Sequence, residues 1–158
     1  MRIPKQVLII PYRIIDSKIE YCMFKRKDLK IWQFVAGGAE DFDDNILESA
    51  KRELREETQI IDAQLEELEL KTKIPVVNIV KEFRWGENVF YAEEYAFAAN
   101  IENKDIILSY EHEEYIWLNY EEAKKMLRYD SNKSALWELD VKLKRKIGLS
   151  KVIWHLFL

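Results

Sequence analysis

The chain is poor in cysteine, glycine and proline, with one, four and three copies among its 158 residues. A single cysteine, Cys22, excludes an intramolecular disulfide and a cysteine-based zinc cluster. No apolar run approaches the length needed to cross a bilayer; one of the longest, Val7–Ile10, is far too short. Residues 1–5 show neither the apolar core nor the cleavage site of a secretory signal. These absences predict a cytoplasmic protein without membrane contact.

Length and charge further limit the kinds of protein that the chain can be. A chain of this size with 48% hydrophobic residues predicts one domain spanning residues 1–158. The formal net charge of −4 argues against a protein that binds nucleic acid through bulk electrostatics. Monomer and homodimer both remain open. Acidic residues concentrate in segments 40–44, 48–57 and 66–69, which favours either a solvated face or a cation site.

Strand-like and helical patterns alternate along the chain. A turn at Asp16-Ser17 is expected to join the first two strands into a hairpin, and Gly37-Gly38 to end the third strand. At these glycines we expect a positive φ or a close approach of another group. This order of elements predicts an α+β fold or an α/β sandwich. The strands are predicted at 6–15, 18–25, 31–35, 74–80, 88–99, 106–108 and 115–118, and the helices at 44–59, 120–127 and 134–147.

The predicted helix 44–59 carries the most informative residues. Glu53, Glu56 and Glu57 fall within a sector of about 100° on one helical face. Like charges at these spacings cost a helix about 0.2–0.5 kcal/mol per pair, and a divalent cation would reverse the sign of that term. Carboxylate oxygens with positions left for water and phosphate suit Mg²⁺. The alternative is a solvated acidic face paired with Arg52 and Arg55.

The segment from Gly38 to Ile60 resembles the Nudix box. That motif is a glycine, five residues, a glutamate, seven residues, and then Arg-Glu-apolar-x-Glu-Glu-x-Gly-apolar. Counted from Gly38, its arginine falls on Arg52 and its last apolar position on Ile60. Two positions depart from the motif: Asp44 replaces the first glutamate and Gln59 replaces the second glycine. Segment 40–44 also lacks a glycine often found there, so we expect an altered loop and helix end with activity retained.

Shorter matches outside the box are similar to bacterial dihydroneopterin triphosphate pyrophosphohydrolases. They are Lys25–Asp28 with Trp32-Gln33, Ser109–Leu118, and Ser131–Lys133. In that family a glutamate of a Glu-His pair ahead of a Trp-Leu strand completes the metal site, and the matching residue is Glu111. His112 beside it is either a catalytic base or a structural residue.

The Nudix resemblance implies an α/β/α sandwich with a mixed central sheet and a hydrolase that cleaves a phosphoanhydride bond. It implies Mg²⁺, with Mn²⁺ possible, and a small nucleoside- or pterin-triphosphate-like substrate that releases diphosphate. Alternatives are hydrolysis of a dinucleoside polyphosphate or another nucleotide derivative, and a Nudix-fold binding module without turnover. The predicted catalytic and metal residues are Glu53, Glu56, Glu57 and Glu111. The predicted substrate-binding residues are Lys25, Arg26, Gly37, Gly38 and Ser131.

Overall fold

The computed structural model describes the backbone of residues 1–156 and the side chains of residues 1–148. Seven strands and four helices follow one another in the described part of the chain. In chain order these are β1 (Arg2–Ile15), β2 (Lys18–Arg26), β3 (Trp32–Gln33), β4 (Val35–Glu40), α1 (Ile46–Thr58), β5 (Gln64–Pro75), α2 (Val76–Ile79), β6 (Tyr91–Asn100), β7 (His112–Leu118), α3 (Tyr120–Met126) and α4 (Asp130–Leu156).

The sheet is mixed and β1 is its central strand. β1 pairs in parallel with β6, and β5 lies antiparallel on the far side of β6. On its other edge β1 pairs antiparallel with β4 along its first half and with β2 along its second half. β3 and β7 both pair antiparallel with β2. Because helices cover both faces, the predicted α/β/α sandwich with a mixed sheet is confirmed.

The predicted hairpin between the first two strands is present. Asp16 and Ser17 adopt φ values of 51° and 65°, and Ile15 pairs with Lys18 across the turn. Two consecutive residues with positive φ give the turn that matches the right-handed twist of the flanking strands. The local sequence was therefore sufficient to place this connection.

Alternation along the strands builds two cores, one on each face of the sheet. Val7 and Ile9 of β1 pack with Leu54 under α1, whereas Leu8 and Ile10 pack on the opposite face with residues of α3 and α4. All four β1 residues are fully or almost fully buried, as expected for a strand covered on both faces. The central strand is thereby fixed in register against α1, which carries the acidic residues.

Helix α1 is defined at both ends by specific backbone contacts. The side chain of Asn45 accepts a hydrogen bond from the backbone N–H of Glu48, which caps the N-terminus. Gln59 adopts the left-handed conformation at φ 62° and donates its N–H to the carbonyl of Arg55 at 2.7 Å. The expected change at the helix end is therefore absent, because Gln59 takes the conformation that glycine usually provides.

Two strand predictions were wrong, and one strand was missed. Segment 74–80 is the end of β5 followed by the short helix α2, and segment 106–108 is irregular, with Ile106 and Leu108 packed under α1. Strand β5 was missed because its charged side chains hide the alternation: Leu68 is buried, while most of its neighbours face solvent at the sheet edge. Acidic segment 66–69 belongs to this strand.

In the part of the chain that the structure describes, no helix combines the length and apolarity that a membrane span requires. The apolar segment 152–156 forms the end of α4. Residues 157 and 158 lie outside the described residues.

Candidate active site

A cavity of about 1200 Å³ opens where the N-terminal part of β1 meets α1. The sheet supplies its floor, and α1, α2, the loop before β7 and the start of α4 supply its walls. All four predicted glutamates and both predicted glycines line it. The full lining is Arg2, Gln6, Leu8, Arg26, Lys27, Asp28, Gln33, Phe34, Ala36, Gly37, Gly38, Glu40, Glu53, Glu56, Glu57, Ile74, Val77, Asn78, Ile79, Lys81, Glu94, Tyr110, Glu111, Tyr129, Ser131 and Asn132.

The two glycines lie inside β4 and do not end a strand. Neither Gly37 nor Gly38 has a positive φ, so that expectation was wrong, and the alternative of a close approach is confirmed. A Cβ on Gly37 would overlap the carboxylate of Glu53, and a Cβ on Gly38 would overlap the guanidinium of Arg2. Glycine is required at both positions because only a residue without a Cβ leaves room for the Glu53 carboxylate beside Gly37 and for the Arg2 guanidinium beside Gly38.

Arg52 ties the loop before α1 to the helix. Its Nε and Nη2 donate to the two carboxylate oxygens of Asp43 at 3.1 and 3.0 Å, and Nη2 also donates to the carbonyl of Gly38 at 2.9 Å. Its Nη1 donates to Oε1 of Glu53 at 3.0 Å and lies 3.4 Å from Oε1 of Glu56. One guanidinium thus fixes the loop, β4 and two of the glutamates relative to one another.

Arg52 pairs with Asp43 and not with the adjacent Asp44. Asp44 occupies the motif's glutamate position but is exposed, whereas Asp43 is largely buried and forms the bidentate pair. Hydrogen bonds from Arg52, together with one from the Ser49 hydroxyl, hold the pKa of Asp43 at about 2. The sequence offered no way to choose between the adjacent aspartates.

Glu53 is the most perturbed of the predicted glutamates. Its side chain is buried against Gly37, and burial raises its pKa to about 7, with the nearby charge of Glu56 adding to the rise. Arg52 opposes this shift without cancelling it. Additional positive charge in the cavity would therefore stabilise the ionised form of Glu53.

Glu57 is held by residues from the loop and strand that follow β6. Its Oε2 accepts a hydrogen bond from the Ser109 hydroxyl at 2.7 Å and lies 2.7 Å from Nδ1 of His112. Burial opposes ionisation of Glu57 most strongly, yet these contacts together bring its pKa below the usual value. His112 is almost fully buried, and its Nε2 lies 3.5 Å from the amide nitrogen of Gln33. The structure places the ring of His112 beside Glu57, and both interpretations of this histidine stay predictions.

Glu111 stands beside Glu57 at the cavity mouth. Partial burial and the neighbouring charge of Glu57 raise its pKa. Its backbone N–H donates to the Ser109 hydroxyl at 3.3 Å and its carbonyl accepts from the N–H of Lys27 at 2.9 Å. The predicted fourth glutamate is thus brought to the same cavity as the three on α1, from a position more than fifty residues away in the sequence.

Of the two predicted basic residues, only Arg26 lines the cavity. Arg26 lines the cavity and pairs with Asp28 at 2.6 Å, whereas Lys25 lies outside the cavity lining with its ammonium 3.4 Å from Glu113. This division follows from alternation along β2, which sends neighbouring side chains to opposite faces. Ser131, at the start of α4, lines the cavity as well.

Three polar residues on the cavity floor were not among the predicted site residues. Arg2 donates to Gln6 at 3.3 Å, and Gln6 donates to Glu94 at 2.9 Å. Burial lowers the pKa of Arg2, with the charge of Arg84 adding to that effect, and burial raises the pKa of Glu94. A glutamate in the apolar pattern of β6 was the available signal, because glutamate side chains are rarely buried unless they are paired.

No three His, Cys, Asp or Glu side chains among the described residues are already arranged around a common metal position. The donor set nevertheless fits a hard divalent cation. Four glutamates line one cavity, all donors are carboxylate oxygens, and two of the four have raised pKa values that added positive charge would relieve.

Comparison with known proteins gives a consistent result. A model of the NUDIX domain matches residues 9–137 of the chain. A crystal structure described as a NUDIX hydrolase from Listeria monocytogenes has 36% identity and a TM-score of 0.81, and the match covers 92% of this chain and 97% of that one. No match was found among curated proteins.

Two further structures are similar in fold at lower identity. Dihydroneopterin triphosphate pyrophosphohydrolase from E. coli has 24% identity and a TM-score of 0.70, over 85% of this chain and 93% of that one. An Ap4A hydrolase from C. elegans, solved as a binary complex, has 24% identity and a TM-score of 0.69, over 88% and 96%. At this identity the likeness concerns the fold.

Proposed function

The chain belongs to the Nudix family of hydrolases that act on acid anhydrides, and from this premise we propose a Mg²⁺-dependent pyrophosphohydrolase of nucleoside- or pterin-triphosphate-like substrates. The observation that carries the proposal is the common cavity of Glu53, Glu56, Glu57 and Glu111. Its volume exceeds the range of about 300–1,000 Å³ typical of small-molecule sites, so a nucleotide-sized ligand fits.

The glutamates would hold the cation, with Mn²⁺ as a substitute for Mg²⁺. When bound, the cation neutralises charge on the diphosphate and lowers the pKa of a water molecule. The chain's own residues set the geometry. Arg52 fixes Glu53, while Ser109 and His112 fix Glu57. A glutamate of this set takes the proton of the water that attacks phosphorus.

Basic residues at the cavity rim complete the proposed phosphate site. Arg26 faces the cavity from the end of β2, and Gly37 and Gly38 leave the backbone of β4 accessible beside Glu53. We assign substrate contacts to these three residues and to Ser131. Lys25 would act from outside the lining, through longer-range attraction of an anionic substrate.

The experiment is a substrate panel assayed for release of phosphate or diphosphate with and without Mg²⁺. The panel contains nucleoside triphosphates, dihydroneopterin triphosphate and diadenosine tetraphosphate. Glu53→Gln and Glu57→Gln are each expected to lower kcat at least about 100-fold with the fold intact. Glu48→Gln, on the same helix but outside the cavity lining, is the matched control.

The outcomes of this panel distinguish the proposed enzyme from the alternative functions. Turnover restricted to diadenosine tetraphosphate would favour the dinucleoside polyphosphate alternative. Ligand binding without turnover of any panel member would favour a binding module. If both glutamine variants keep more than about half of the wild-type activity at saturating Mg²⁺, α1 is not the metal site.

A further inference from the structure

A buried carboxylate on the cavity floor takes no part in the chemistry proposed above. Glu94 lies in β6 between Ala92 and Ala96, with the side chains of all three on the same face of the sheet. The residue is only 6% exposed, yet it lines the cavity. A buried ionised carboxylate lowers the stability of the fold unless it is paired or hydrogen-bonded.

The contacts of Glu94 satisfy only part of its hydrogen-bonding capacity. Oε2 accepts one hydrogen bond, from the amide of Gln6 at 2.9 Å, and the carbonyl of that amide accepts from Arg2 at 3.3 Å. Among the described residues, no cation lies within ion-pair distance of Glu94, and no hydrogen bond reaches Oε1. Because Gln6 is held on both sides, the carboxylate is fixed with acceptor capacity available to a ligand in the cavity.

The chemistry of that ligand follows from the group it meets. An ionised carboxylate only accepts hydrogen bonds, and its two oxygens match two parallel N–H donors. A ring with an amino group beside a ring N–H offers this pair of donors. Guanine (2-amino-6-oxopurine) and the pterins (2-amino-4-oxopteridines) share this edge. Adenine offers one donor beside one acceptor, so it leaves one carboxylate oxygen facing a ring lone pair.

We propose that Glu94 is a specificity-determining residue that binds the 2-amino group and the adjacent ring N–H of a guanine or pterin ring, with Gln6 as its positioning residue. The inference rests on the proposed function, since it names the substrate class of the same cavity. The phosphates would extend from this ring toward the glutamates of α1, which line the same cavity.

Binding measurements on the wild-type protein provide the first test. Equilibrium binding of guanosine, inosine and adenosine diphosphates is measured with Ca²⁺ in place of Mg²⁺. Inosine lacks only the 2-amino group, so guanosine diphosphate is expected to bind at least about tenfold more tightly than inosine diphosphate, and more tightly still than adenosine diphosphate. Equal affinities for all three overturn the proposal. Comparing the affinity for neopterin triphosphate with that for guanosine triphosphate then distinguishes a pterin ligand from a guanine ligand.

Variants provide the second test. Glu94→Gln keeps the shape and the contact with Gln6 but presents an amide donor, so it should lose the preference for guanosine and gain relative affinity for adenosine diphosphate. Glu93→Gln, one residue away and outside the cavity lining, should leave the preference unchanged. An unchanged preference in Glu94→Gln overturns the assignment. Should that variant fail to fold, the comparison of the three ligands on the wild-type protein still decides.

The outcomes separate this inference from the function on which it rests. Selective binding of guanosine diphosphate without hydrolysis of any panel member would retain the role of Glu94 and reject the enzyme proposed above. Hydrolysis of purine nucleotides at equal efficiency, without a preference in binding, would retain the enzyme and reject the role of Glu94.

Discussion

Replacing Gly37 with alanine separates catalytic geometry from stability. The added Cβ would lie well inside van der Waals contact with three carboxylate atoms of Glu53. Carbon atoms in proteins pack about 3.5–4.0 Å apart, so the carboxylate must move by about 1 Å or more. A displacement of about 1 Å at a reacting centre can cost about 100-fold in rate. We therefore expect Gly37→Ala to lower Mg²⁺-dependent kcat about 100-fold.

Stability should change little, because the atoms in the way belong to the end of a flexible side chain. Gly37 has no positive φ, so alanine meets no backbone strain there. Reduced freedom of the unfolded chain contributes about 0.4–1 kcal/mol in favour of the variant. The melting temperature should stay within a few degrees of the wild type. Gly148→Ala is the matched control, since an added Cβ there has nothing within 4 Å and activity should be unaffected.

A double-mutant cycle identifies the cause of the loss. Glu53→Asp withdraws the carboxylate by one methylene, so adding Gly37→Ala in that background should cost much less than about 100-fold. Kinetics and thermal melts of the two single variants and the double variant are measured together. A Gly37→Ala protein that keeps within about threefold of wild-type kcat would refute the reasoning, because the position of Glu53 would then not matter for turnover.

Three more predictions follow from the site. Asp43→Asn should lower the free energy of unfolding by about 2 kcal/mol, because it removes the charge from the pair with the partly buried guanidinium of Arg52. Chemical denaturation measures this, and Asp44→Asn should be near neutral. Glu111→Ala should reduce kcat with a melting temperature within a few degrees of wild type, and unchanged kinetics would make Glu111 a surface residue. Burial raises the pKa of Glu53 from 4.5 to about 7 on folding, so the stability it contributes is present below about pH 4.5 and is lost as the pH rises to about 7. In metal-free buffer the melting temperature should fall more steeply from pH 5 to 8 for the wild type than for Glu53→Gln. Parallel curves for the two proteins would contradict this explanation.

Several features could be predicted from the sequence because they depend on short segments. The spacing from Gly38 to Ile60 predicted the family, and the periodicity of α1 placed its three glutamates on one face. The turn at Asp16-Ser17 needs only residues that tolerate positive φ. That residues 1–158 form one domain, the monomeric or homodimeric state and the absence of nucleic-acid binding stay predictions.

Other features depended on long-range pairing. Strand β5 gains its conformation from β6, so its charged edge pattern did not predict it. Gly37 and Gly38 looked like turn residues, and only the packing of α1 and Arg2 on β4 explains them by space. The choice of Asp43 over Asp44 required the position of the Arg52 guanidinium.

The sequence by itself determined the family, the acidic face of α1 and the order of most elements, since local periodicity reports local backbone geometry. The tertiary structure alone decided which distant side chains share the cavity. Glu57 meets Ser109 across 52 residues, and Gln6 meets Glu94 across 88. Parallel pairing of β1 with β6 sets the second contact, because strand register fixes which side chains stand side by side on one face of a sheet.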